Sequence, residues 1–229
     1  MVQFIEVTLE LLQGFSSSVL LFTLTLLIAL PLGLLISFCT LSKFAIVRVP
    51  FKFIVWILRG TPLMLQIFTV FYVPGLLFGF VWPTMNTGWE WFDSTVSTRF
   101  LAALVAFGVN YAAYFSEIYR GGIQSIPKGQ YEAGQVLGLN KSQIFFKVVL
   151  MQVVRRIIAP MSNEIITLVK DTSLANTIGV LEMMFAAQTF LLEGLIWPIF
   201  YAGAFYLLFV GVLTLLFGWI EKKLSYYQV

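Results

Sequence analysis

The sequence contains no histidine and only one cysteine, Cys39, which lies inside an apolar run. Without histidine, the commonest general base and the commonest metal ligand are missing. One cysteine can build neither a disulfide framework nor a thiolate metal site. Charge is scarce as well: 11% of the 229 residues are charged against 59% hydrophobic, and mean hydropathy is +0.91. A soluble domain carries roughly twice that charged fraction, because its surface faces water. This surface is read as facing lipid. No G-x-x-x-x-G-K-[ST] phosphate loop occurs, so nucleotide hydrolysis is not expected on this chain. The pI near 9.0 does not indicate nucleic acid, since the basic residues form no dense patch beyond Arg155 and Arg156. The first charges are Glu6 and Glu10, opposite in sign to the start of a cleavable leader, so the first apolar run is expected to be retained.

What the chain does have is apolar length. A helix needs about 20 apolar residues to cross a hydrocarbon core of roughly 30 Å. Five stretches qualify: Val19–Leu41, Leu63–Val81, Phe100–Tyr119, Ile157–Leu181 and Leu195–Ile220. The expected fold is an all-α integral membrane protein, one transmembrane domain over residues 1–229 with five spans. Residues 1–16 set Phe4, Val7, Leu11, Leu12 and Phe15 against Gln3, Glu6, Glu10 and Gln13, the spacing of a helix lying in the interface. Phe44–Leu58 has the same character. Thr61 is a candidate N-cap with Pro62 at the first helical position of the second span. Pro31 and Pro74 are expected to kink their helices.

Charge distribution gives the orientation. Lys43, Arg48, Lys52 and Arg59 follow the first span, six bases from Arg120 to Arg156 follow the third, and Lys222 and Lys223 follow the fifth, twelve of the fourteen in all. The alternate segments carry Glu90, Asp93, Glu182 and Glu193, with Arg99 at a border. By the positive-inside rule the N-terminus is outside and the C-terminus cytoplasmic. An odd number of crossings leaves little room for an inverted repeat within the chain.

Residues 127–150, between the third and fourth spans, read as a helix–turn–helix. Ser125 and Pro127 open the first helix, Gly138 ends it in a left-handed conformation, and Asn140 or Ser142 caps the second. On spacing alone this is either an amphipathic connector or a docking element. Glu132-Ala133-Gly134, then Gly138 after three residues and Val148-Val149-Leu150-Met151 after nine more, resembles the EAA loop of ATP-binding-cassette importer permeases. Gly134, Val148 and Met151 depart from that pattern; Met151 replaces a proline, so a less kinked helix is expected. Arg59-Gly60-Thr61-Pro62-Leu63, Glu117-x-x-Arg120-Gly121-Gly122-Ile123, Asn163-Glu164 and Lys170-x-Thr172-Ser173-Leu174 resemble the subgroup serving polar amino acids. The resemblance implies a type I importer transmembrane domain in a bacterial inner membrane, with a cytoplasmic coupling helix carrying Glu132, Ala133, Gly134 and Gly138. It also implies separate ATPase subunits holding ATP and magnesium, no cofactor on this chain, an extracytoplasmic solute-binding protein or domain, and a second permease copy or paralogue.

The fourth span carries Asn163, Glu164, Thr167, Lys170, Asp171 and Leu174 along one helical stripe. A charge at bilayer depth costs roughly 2.5–3.5 kcal/mol on insertion scales, so the stripe must face protein or water. It either pairs with other helices to hold the bundle or lines a substrate path. In the second reading Glu164 and Asp171 meet an α-ammonium, and Lys170 with the Thr172 and Ser173 hydroxyls and backbone meets an α-carboxylate. The helix is expected to loosen at residues 170–173. Asn110, Tyr111, Tyr114 and Glu117 form the polar face of the third span. Asn110 and Tyr114 join the candidate substrate residues, while Glu117 and Arg120 read as an i,i+3 ion pair. Gln66 is expected in an interhelical hydrogen bond, and the tryptophans beside the spans read as interfacial anchors. A different class stays open: an ion-gradient-driven carrier in which Glu164 and Asp171 hold protons or sodium. A membrane enzyme is disfavoured, since no catalytic grouping is recognisable.

Overall fold

Ser16, Ser17 and Ser18 punctuate the N-terminal sequence without breaking its helix. Their hydroxyls donate to the carbonyls of Gln13 and Gly14 one turn back, at 2.6, 3.4 and 3.2 Å. In the computed structural model, which describes residues 2–224 and the side chains of residues 4–224, α1 therefore runs unbroken over Val2–Leu41. The expected interfacial helix of residues 1–16 and the span 19–41 are one element. The side chain of Gln3, part of the expected amphipathic pattern, lies outside the described residues.

Then follow α2 (Ala45–Gly60), α3 (Leu63–Phe78), the short α4 (Glu90–Thr95), α5 (Thr98–Gln124), α6 (Lys128–Val136), α7 (Lys141–Ile144), a π-helical turn (Phe145–Val149), α8 (Leu150–Asp171), a 3-10 segment (Thr172–Ile178), α9 (Met183–Leu192) and α10 (Trp197–Leu224). The described residues form no strand.

Two expected caps are corrected. Thr61 does not cap α3: Pro62 holds the N-cap position, and the Thr61 hydroxyl donates back to Ile57 O at 3.0 Å while its backbone, extended ahead of the proline (φ −114°, ψ 144°), leaves α2. The result is a 108° bend between α2 and α3. Ser125 does not cap α6 either. It closes α5, its hydroxyl donating to Gly122 O at 2.7 Å.

Among the described residues, three helices are long and apolar enough to cross a membrane (Phe4–Leu41, Thr98–Gln124 and Trp197–Leu224), or four if bent α2–α3 is one span. The expected fourth span, 157–181, is not among them. Its helix α8 carries Arg155, Arg156, Glu164, Lys170 and Asp171, which lower its hydropathy. Helix α5 is the centre of the bundle, burying Phe100, Phe107, Tyr111 and Phe115. It is capped by Ser97, whose hydroxyl accepts from Phe100 N. Helix α1 packs along it closely enough that a Cβ on Gly33 would lie 2.9 Å from Ala112 O. Small residues permit such approach between helices in lipid. Helix α10 is apolar on every side, and among its residues Pro198 and Ala202 are buried, so most of its surface faces outward.

The loop before α5 is anchored by Asp93, which accepts from Thr87 N at 2.9 Å, Thr87 Oγ1 at 2.8 Å and Gly88 N at 3.0 Å. The Thr87 donors hold its carboxyl below its ordinary range.

Candidate functional site

At Thr172 α8 tightens into the 3-10 segment, within the stretch where loosening was expected. Just before that change Asp171 accepts a 2.7 Å hydrogen bond from Tyr111 Oη of α5. The two helices flank a cavity of about 410 Å³, within the roughly 300–1,000 Å³ usual for small-molecule sites. Its walls are Thr61, Pro62 and Leu63 from the α2–α3 bend, Asn110, Tyr111 and Tyr114 from α5, Glu164, Thr167 and Asp171 from α8, and Leu174. Two carboxylates therefore stand opposite two tyrosines, and none of the lining residues is cationic.

Of the stripe expected to line a path, Glu164, Thr167, Asp171 and Leu174 reach the cavity. Asn163, Lys170, Thr172 and Ser173 do not line it. Successive helical residues are rotated by about 100°, so Asn163 and Lys170 share an azimuth a quarter turn from that of Glu164 and Asp171. Packing against α5 selects the second of these, and Asn163 and Lys170 are exposed. Thr172 is buried with its hydroxyl donating to Val169 O, and the Ser173 hydroxyl donates to Lys170 O. Tyr111, Thr61, Pro62 and Leu63 join the site although they were absent from the expected set. Tyr111 was legible as part of the polar face of α5. The other three needed the bend.

That bend is held by a polar clasp. Gln66 Nε2 donates to Leu58 O at 2.7 Å and Thr61 Oγ1 at 2.9 Å, while Gln66 Oε1 accepts from Asn110 Nδ2 at 3.0 Å. Asn110 Nδ2 also donates to Leu58 O at 3.3 Å. Three helix segments meet in groups that would be costly to leave unpaired in a dry interior.

A second cavity, about 240 Å³, lies between α2 and α5. Lys52, Val55, Trp56 and Arg59 of α2 line it, with Glu117 and Arg120 of α5. Glu117 pairs with Arg120 through 2.9 and 2.5 Å contacts, the expected i,i+3 pair, and with Arg59 at 3.7 Å. The Arg59 guanidinium lies 5.2 Å from the centroid of the Tyr114 ring, within cation–π range.

The hairpin after α5 is built separately. Gly138 has φ 72°, the left-handed conformation that glycine adopts without strain. Asn140 and Gln143 form a reciprocal capping box at α7. Ile126, Ile144, Val149 and Val153 make its small core. Gly134 is buried there, and a Cβ on it would stand 2.7 Å from Ile144 Cγ1, which accounts for glycine at that position. Glu132 and Ala133 are exposed, and Val136 and Leu137 present 88% and 77% of their surface. Just before Met151 the chain carries a π-helical turn, Phe145–Val149.

The family of binding-protein-dependent transport system inner membrane components matches residues 29–226. The chain is 36% identical over 207 residues to the L-cystine transport system permease protein TcyB of Bacillus subtilis (strain 168), covering 89% of this chain and 82% of the relative. It is 32% identical over 218 residues to the arginine ABC transporter permease protein ArtM of Haemophilus influenzae, covering 94% and 92%. Its fold matches a solved structure of an amino acid ABC transporter with histidines at a TM-score of 0.81 and 22% identity, over 97% of both chains. The inward-facing MetNI methionine ABC transporter matches at a TM-score of 0.66 and 16% identity, over 95% of both chains.

Proposed function

Since this chain belongs to the family of binding-protein-dependent transport system inner membrane components, we propose that the cavity between α5 and α8 is the stretch of substrate path that it contributes. The chain is a permease subunit of an amino-acid importer of the ATP-binding-cassette class, a transport subunit and not an enzyme. It is a helical protein of the inner membrane.

The observation that carries the reading is the pair Glu164 and Asp171, which face a protein-walled cavity beside Tyr111 and Tyr114. Acids at this depth are tolerated where they face protein or water, and their charge suits the ammonium of an amino acid. The bundle supplies one wall, so a second copy or a close relative completes the passage. The α6–α7 hairpin is the docking element for separate subunits that bind ATP with magnesium. Its exposed Val136 and Leu137 supply apolar surface for such a partner. The charge bias favours a hairpin and C-terminus in the cytoplasm and an N-terminus outside, an arrangement in which α8 also crosses, with its acids turned to the protein-walled cavity. A solute-binding protein or domain then delivers from the α4 side. Transport requires the cavity to hold substrate differently in inward- and outward-facing states, since only differential contacts can shift that equilibrium.

Reconstitution with the ATPase subunits tests this. ATP hydrolysis stimulated by an amino acid, with uptake that stops when ATP is withheld, is the expected result. Uptake that follows an ion gradient and ignores ATP would contradict it.

A further inference from the structure

An α-amino acid carries two opposite charges, and the acidic cavity answers one of them. Lys170, the cation expected to meet the carboxylate, lies on another azimuth of α8. The neighbouring cavity has the complementary composition: Lys52, Arg59 and Arg120 against the single carboxylate of Glu117. We propose that this basic cavity is a second substrate subsite, which takes the α-carboxylate of the amino acid as it leaves the Glu164–Asp171 cavity. The inference rests on the reading of that first cavity as the substrate path.

Three features support it. Arg120 already engages Glu117 through both carboxylate oxygens at 2.9 and 2.5 Å, so that acid stays paired when Arg59 moves. Arg59 stands farther off, at 3.7 Å, with 42% of its side chain exposed. It is the exchangeable member of the trio. Its guanidinium also covers the ring of Tyr114, a wall of the acidic cavity, so Arg59 forms the partition between the two spaces. A carboxylate gives a guanidinium a bidentate partner that the ring does not, which favours release of Tyr114 when substrate arrives. Finally, about 240 Å³ is less than a whole small-molecule site usually offers, and suits the carboxylate end of a ligand. Lys52 lines the same cavity, nearly two helical turns before Arg59 on the same face of α2, and adds a further positive charge.

The bland alternative is that these charges only pin α2 to α5. The experiment uses the complete transporter and measures the concentration of amino acid that half-maximally stimulates ATP hydrolysis. The standard amino acids are screened first, and the active one is compared with its methyl ester, which keeps the ammonium and loses the carboxylate charge. In the natural protein the ester should need roughly tenfold more, the weight of one charge-assisted contact. Lys52→Gln should remove that discrimination, and Lys52→Arg should restore it. An acid-to-ester ratio left unchanged by Lys52→Gln would overturn the subsite while leaving the importer reading intact. Stimulation by no amino acid would overturn both. A direct readout needs no change at Lys52: the acid, and not the ester, should shift the emission of Trp56, and Trp56→Phe should abolish that shift. Equal shifts by acid and ester would contradict the proposal.

Discussion

The α5–α8 cavity and the α6–α7 hairpin lie on one continuous stretch of chain, yet they satisfy their chemistry in opposite ways. At the cavity, polar groups answer one another within the chain: Tyr111 serves Asp171, and Asn110 serves Gln66. At the hairpin the backbone is closed by caps and a small core, but Val136 and Leu137 are left outside it. The first region is built to hold something small. The second leaves apolar surface uncovered, which the proposed docking of another protein would cover, and that difference marks the proposed division between recognition and energy supply.

The largest expected effect separates the regions from the cavity side. Asp171→Ala removes one charged contact to substrate, worth about 1.5–3 kcal/mol, and should weaken amino-acid stimulation of the ATPase roughly 10- to 100-fold. Assembly with the ATPase should persist, as judged by co-purification. Loss of assembly before loss of affinity would make Asp171 a structural residue and break the comparison.

From the hairpin side, Gly138→Val forces a β-branched residue into φ 72° and should cost about 1–2 kcal/mol locally. Co-purification of the ATPase should fall by about tenfold, with binding of amino acid to the permease unchanged. Unchanged uptake would remove the docking role. Smaller still is Gln66→Leu, which unties the α2–α3 bend and leaves the Asn110 amide only its longer, 3.3 Å bond to Leu58 O. Thermal unfolding should show a loss of about 1 kcal/mol, together with weaker substrate stimulation, since Thr61 and Pro62 wall the cavity.

The smallest effect lies outside both regions. The Asp93 carboxyl is held below its usual range by the donors of Thr87, so its anchoring is present above the usual carboxylate pKa and is lost as pH falls through the lowered value. Emission from Trp89 and Trp91 beside it should change over that acidic window, and Asp93→Asn should flatten the transition.

Much of this was legible in the residues. The hairpin punctuation at Gly138 and Asn140 followed from local chemistry, which the structure keeps. The polar stripe on α8 was legible as a stripe, but periodicity gives a face about 100° wide without saying which edge a neighbour covers. Lys170 belongs to the stripe and yet does not line the cavity for that reason. Thr61 looked like a cap because its residue type suits one, yet Pro62 dictated its backbone and made it a wall of the cavity. The interfacial helix and the first span read as two elements from their patterns, yet the serines between them bond to helix carbonyls one turn back and the helix runs on.

One labelling experiment tests the division of labour most directly. With Cys39 replaced by serine, Thr167→Cys and Leu137→Cys variants are assembled with and without the ATPase, and the rate of thiol modification is measured with and without the stimulating amino acid. Substrate should slow modification at position 167 alone, and the ATPase should shield position 137 alone. Shielding of position 137 by substrate, with position 167 indifferent to it, would contradict the account.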